Sequence, residues 1–143
     1  MRKLLSIAVV LALGYFVVER WSAADHAPES AASADSSIAD AYQSHRSGIE
    51  VQGRGNVVRV LADDLDGDRH QRFILRLDGG QTLLIAHNID LAPRLPGLKV
   101  GDVVEFHGEY AWNAQGGVVH WTHKDPRARH QPGWLRYEGR TYQ

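Results

Sequence analysis

Residues 101–126 read GDVVEFHGEYAWNAQGGVVHWTHKDP, and the alternation within them decides the fold class. Val104, Phe106, Gly108, Tyr110 and Trp112 fall at every second position, with Glu105, His107 and Glu109 between them. A period of two is what a strand with one buried face requires, because successive side chains point to opposite sides of the pleat. Asn113 to Gly117 is a cluster of turn residues, and Val118 to Thr122 resumes a β-branched and aromatic run. Asp125-Pro126 ends it, since proline has no N–H to give to a ladder. The stretch is therefore expected as a long β-hairpin. Regular alternation in its second strand predicts Val119 and Trp121 on the buried face and His120 turned outward beside Glu109 or His107.

The flanking sequence extends the pattern. Val51 to Ala62 reads as a strand whose Gly53 and Gly55 permit a bend or bulge. Arg69 to Leu77 follows after an acidic turn, with Phe73, Leu75 and Leu77 on its inner face. Asp78-Gly79-Gly80 signals a tight hairpin into Gln81 to Asn88. Ile89 to Leu98, with Pro93 and Pro96, is a non-strand crossover. A terminal hairpin is expected from Trp134–Tyr137 and Thr141–Tyr142 around Glu138-Gly139. Three strands, a connector and two strands make an all-β protein. The order is that of a small five-stranded OB-like Greek-key barrel with a short C-terminal hairpin, spanning residues 48–143.

An N-terminal hydrophobic helix and a flexible linker are expected to precede the barrel. Arg2 and Lys3 lead into an uncharged run from Leu4 to Val18, which Glu19 and Arg20 stop. Fifteen residues suit a signal-peptide core and fall short of the roughly 20 that span a bilayer comfortably. Ser22-Ala23-Ala24 offers a cleavage point, whereas Trp21 suits a membrane interface. Residues 1–21 are thus expected as a signal peptide or a membrane anchor, with the domain exported to the periplasm, tethered or released. Residues 22–47, rich in Ala, Ser and Asp, are expected as a disordered linker with at most a helical turn over Ile38 to Tyr42. With no cysteine, disulfides, thiolate metal sites and a lipoprotein anchor are all excluded.

The words RHQRFI (69–74), AHNIDLAPR (86–94), GEYAWN (108–113) and GGVVHWTHKDP (116–126) resemble a family of small exported bacterial proteins described only as a domain of unknown function. The resemblance implies an exported single-domain protein and carries no activity, substrate or catalytic residue.

The chemistry must then be read from the residues. Eight histidines in 143 residues is enrichment, and histidine is the commonest metal ligand. His120, His123, Asp125 and His130 are the candidate metal set, able to hold zinc or another divalent ion only if the strand breaks near Thr122. The run Asp63, Asp64, Asp66, Asp68 resembles half of an EF-hand, but Arg69 and Leu75 stand where Gly and Glu are needed. If a two-residue turn joins the second and third strands, Arg72, Arg76 and His87 share an outward face with Ile74 and Ile85. Such a surface suits a polyanion or a stacked ligand. Arg72, Arg76, His87, His107, Glu109, His120 and His123 are accordingly the candidate ligand-binding residues. The C-terminal part interleaves Lys124, Arg127, Arg129, Arg136 and Arg140 with Trp121, Trp134, Tyr137 and Tyr142, a composition that suits either a stacking groove or the cap of a small core.

No nucleophile elbow, phosphate loop or dinucleotide fingerprint is present. The functional expectation is an exported, non-enzymatic binding module of the bacterial envelope that needs no cofactor. Its ligand would be a polyanion, a glycan or a partner protein, with nucleic acid disfavoured by the acidic turn. The alternative is a metal-dependent, nuclease-like hydrolase built on the His/Asp set.

Overall fold

A computed structural model describes residues 27–143, with side chains from residue 32 onward. The segment expected as a signal peptide or anchor, and the first residues of the expected linker, lie outside the described residues. Among the described residues no helix is long and apolar enough to cross a membrane.

The chain runs α1 (Ala27–Gln43), β1 (Ile49–Val60), β2 (His70–Leu77), β3 (Thr82–Asn88), β4 (Val103–Ala111), β5 (Val118–His120), β6 (Trp134–Tyr137) and β7 (Arg140–Tyr142). Strands pair in the order β1-β2-β3-β5-β4, and β4 returns to β1 to close a five-stranded barrel. Every barrel pair is antiparallel except β3–β5, where Leu84 and Ile85 face Val118 and Val119 in parallel. The barrel and its C-terminal hairpin are those expected from the strand order.

Closure depends on β1 reaching two neighbours. Residues 49–56 pair with β4 and residues 55–60 with β2, and a register shift between Val57 and Arg59 bends the strand between them. Gly53 permits the bend to close tightly, because a β-carbon there would press into the Phe106 ring at 2.7 Å. β6 pairs with β4 at residues 105–107, on the edge that carries β5 at 109–111, and β7 extends it into a hairpin.

The interior is filled by the alternating residues. Phe73, Leu75, Leu83, Ile85, Val104, Phe106, Tyr110, Val119 and Leu135 are fully buried. The connector closes one end of the barrel. Leu95 is buried, its N–H donates to Gln71 Oε1, and Gln71 Nε2 donates back to the Leu95 carbonyl.

The opposite end is closed by residues 32–43 of α1, which corrects the expectation of a disordered linker for that part of 22–47. From residue 27 to 43 the chain is helical, and Ile38 and Ala41 are wholly buried in the barrel core. Asp35 accepts the Gly79 N–H at the β2–β3 turn, and the Tyr42 hydroxyl donates to the Ala114 carbonyl at the β4–β5 turn. Trp112 Nε1 donates to the Tyr42 carbonyl. The composition is poor in large apolar residues, but alanine favours the helix and the barrel end supplies the apolar floor. One isoleucine suffices for a helix that docks, though not for one that must be stable alone.

Candidate functional site

Register across three strands builds one polar row on the outer wall. Glu50 of β1 faces Glu109 of β4, and Glu109 faces His120 of β5. Directly paired side chains on one face lie about 5 Å apart. His107, two residues before Glu109 on the same face, pairs with Trp134 of β6. Phe106, Gly108 and Tyr110 between them are buried, so the alternation expected for β4 holds along its length.

β5 stops at His120, earlier than expected. Trp121 takes a left-handed conformation, with φ 55°, which no continuing strand residue adopts. The expectation of Trp121 as a core residue fails for this reason: its ring leaves the ladder and lies half-buried on the outer side. There it stacks on His130, with centroids 4.1 Å apart and planes within 8°, and against His123 at 5.1 Å. His120 does face outward beside Glu109, half-exposed.

Asp125 shapes the loop that returns His130 to the wall. Its carboxylate accepts the backbone N–H groups of Arg127 and Arg129 at 2.9 Å and of His130 at 3.0 Å. Those bonds hold its pKa below the ordinary carboxylate range. Gly133 closes the loop by donating its N–H to the His123 carbonyl, and its α-carbon is packed so closely on the Trp121 backbone that no side chain fits.

His130 Nε2 consequently lies 2.7 Å from Glu109 Oε2 and 3.7 Å from Glu50 Oε1. His120 Nε2 lies 3.5 Å from Glu109 Oε1, and His107 Nε2 3.7 Å from Glu50 Oε2. The hydrogen bond to Glu109 raises the pKa of His130, while burial lowers that of His120 despite the same carboxylate. Two shielded atoms of the cluster, Glu50 Oε2 and His120 Nε2, have no hydrogen-bond partner.

Of the metal set read from sequence, the structure brings His120 and His130 to this wall and leaves His123 and Asp125 out. Asp125 is engaged by three backbone groups. His123 is buried, and its Nδ1 donates to the Lys124 carbonyl at 2.7 Å. Glu50 and Glu109 stand with the two histidines instead. Glu50 was missed because the first strand was expected to begin at Val51. The alternation Ile49-Glu50-Val51-Gln52 carried the signal for its outward face.

The ligand face expected on the second and third strands is also corrected. Arg76 pairs with Thr82, and three residues, Asp78 to Gly80, separate Leu77 from Gln81. One residue more than a two-residue turn inverts which side chains of β3 face inward. His87 and Ile85 are therefore core residues. His87 Nε2 donates to the Pro93 carbonyl at 2.9 Å and Nδ1 accepts from the Thr122 hydroxyl at 2.8 Å. Burial lowers its pKa to about 4, so it is neutral near pH 7. Arg72 and Arg76 do face out, but Arg72 Nε donates to the Ala62 carbonyl. The acidic loop beside them is an ordinary turn: Asp64 accepts the Asp66 N–H, and Asp63 pairs with Arg94.

In the C-terminal hairpin Tyr137 and Tyr142 are buried, and the Tyr137 hydroxyl donates to Asp102 at 2.7 Å. Arg136 covers the Trp134 ring at 4.2 Å. The basic-aromatic composition thus caps the core and does not form an open stacking groove.

Fold and wall together define a small closed β-barrel of the OB type that carries a histidine–carboxylate cluster on its outer surface. The chain belongs to the family described as Protein of unknown function (DUF3465), which matches residues 21–143. None of the curated proteins matches it significantly.

Proposed function

We propose that this protein is an exported, non-enzymatic binding module that takes a cationic ligand on the barrel wall around Glu50 and Glu109. The observation that supports it is the convergence of two carboxylates and the histidines His107, His120 and His130 from β1, β4, β5 and the loop after β5. Rigid strands hold four of the five side chains, as a preorganised site requires. Export enters from the charged and apolar pattern of residues 1–21.

Charge argues against the polyanion and for a cation in its place. Two carboxylates against one imidazole favoured in its protonated form leave the wall negative, which repels a polyanion. A glycan that docks by stacking finds one face of each nearby tryptophan already taken, Trp121 by His130 and Trp134 by Arg136.

The reading is tested by imidazole nuclear magnetic resonance of the full chain titrated with spermidine, heparin and a neutral oligosaccharide. The expected result is movement of the His107, His120 and His130 signals with the polyamine alone. Movement of these imidazole signals with heparin and not with spermidine overturns it. So does a hydrolytic activity on nucleic acid that disappears in His120→Ala, which would favour the hydrolase.

A further inference from the structure

We propose that Glu50, Glu109, His120 and His130 form a site for one divalent transition-metal ion, with zinc the best match to the donor set. The inference rests on the wall-binding reading above and names its ligand.

Glu50, Glu109 and His130 each present a ligand atom, all three within 4.8 Å of one another. His120 stands outside that trio and reaches the other oxygen of Glu109, Oε1, from the adjacent strand at 3.5 Å, which makes it the fourth ligand of the proposed site. Neighbouring ligands of a tetrahedral zinc stand about 3.3 Å apart, given bonds near 2.0–2.1 Å. Within the trio His130 Nε2 stands 2.7 Å from Glu109 Oε2 and 3.7 Å from Glu50 Oε1, which bracket that figure; His120 joins them by rotation of its ring or of the Glu109 carboxylate.

A second observation is independent of proximity. Glu50 Oε2 and His120 Nε2 are shielded from solvent without any hydrogen bond. Each faces only a longer ion-pair contact, Glu50 Oε2 to His107 Nε2 at 3.7 Å and His120 Nε2 to Glu109 Oε1 at 3.5 Å, and a shielded polar atom without a hydrogen bond is costly. Both belong to this one cluster, and a cation supplies what each lacks.

The third observation is orientation. His130 Nδ1 donates to the Gln131 carbonyl at 2.7 Å, and His107 Nδ1 to the Pro132 carbonyl at 3.2 Å. A carbonyl only accepts, so these bonds place the hydrogen on Nδ1 and aim Nε2 at the carboxylates. Metal-binding histidines are held in this way, by a backbone carbonyl on the far nitrogen. Trp121, flat against His130, fixes the ring plane as well. His107 stands beside Glu50 and steadies it.

Donor chemistry selects the metal class. Imidazole suits zinc, copper, nickel and iron, whereas calcium and magnesium take oxygen ligands. Two imidazoles with two carboxylates exclude neither geometry nor charge balance for a divalent ion, since the carboxylates neutralise it.

The test uses the full chain, stripped with a chelator and dialysed, near neutral pH. Calorimetry with Zn²⁺ is expected to show one ion per chain, Ca²⁺ negligible heat, and Co²⁺ the visible absorption of a four-coordinate nitrogen–oxygen site. Glu109→Gln and His130→Gln should each weaken zinc at least about tenfold, with His45→Gln as an unaffected control. In the wild type, Zn²⁺ should shift the His120 and His130 imidazole signals and leave His87 unmoved, a readout that does not depend on any variant folding. Absence of zinc heat and cobalt absorption in the wild type overturns the inference, as does unchanged affinity in both variants. If spermidine still moves the same imidazoles in the presence of chelator, the wall-binding reading survives that failure. If it does not, both fall.

Discussion

His130 Nε2 and Glu109 Oε2 stand 2.7 Å apart, although 21 residues separate them and only one of the two lies on a strand. The contact exists because Asp125 folds the intervening loop back by gathering three of its N–H groups. It sets His130 against a carboxylate on the rigid wall, and the hydrogen bond to Glu109 raises the pKa of the imidazole.

Asp125→Ala should therefore act at a distance from its own position. The expected outcome is a fall in the His130 pKa toward its ordinary value near 6.5, together with a change in Trp121 fluorescence as the stack loosens. Imidazole titration followed by nuclear magnetic resonance checks it. An unaltered His130 titration would show that the loop holds its shape without the carboxylate.

Stability should fall in mild acid through His87. Its pKa is 6.5 when exposed and about 4 in the fold, so the unfolded chain binds the proton more readily. The contribution is complete above about pH 6.5 and is lost progressively down to about pH 4, up to about 3 kcal/mol. Urea midpoints at pH 7 and pH 5 measure the change, and His87→Gln should abolish this component. The depressed carboxylates of Asp90, Asp102 and Asp125 act in a lower window, below about pH 4.

Phe73 and Phe106 are both fully buried. Replacement of either by alanine should cost about 3–5 kcal/mol, while Arg76→Ala on the exposed face stays within about 0.5 kcal/mol. Equal urea midpoints for the three variants would refute the assignment of inner and outer faces.

Ile38 tests the docking of α1. Ile38→Ala should destabilise by about 2–5 kcal/mol if the barrel end cannot collapse around the gap, and hydrogen exchange of the amides from 32 to 43 should accelerate ahead of the barrel strands. Exchange that is already fast in the wild type would restore the linker reading for this segment.

Alternation is a property of the pleat itself, set by the geometry of consecutive residues, which is why the sequence alone determined so much of this barrel. Val104 to Tyr110 and Phe73 to Leu77 declared their buried faces, and the strand order followed from counting runs and breakers. His120 was legible as an outward residue on the same ground, because its neighbour Val119 is buried and the two share one strand.

What belonged to the tertiary structure was every relationship between strands. The meeting of Glu50 with Glu109 is a register between β1 and β4, some sixty residues apart, and the packing of the closed core selects it. One residue in the turn at Asp78–Gly80 decided that His87 is a core residue. A local periodicity cannot report that parity, because it survives intact in both registers. The left-handed Trp121 and the Asp125-gathered loop set His120 and His130 beside Glu50 and Glu109 and not beside His123 and Asp125, since a side chain's partner is chosen by where the chain returns. The helix over 27–43 has the same origin: its apolar floor is the end of a barrel built from residues that follow it.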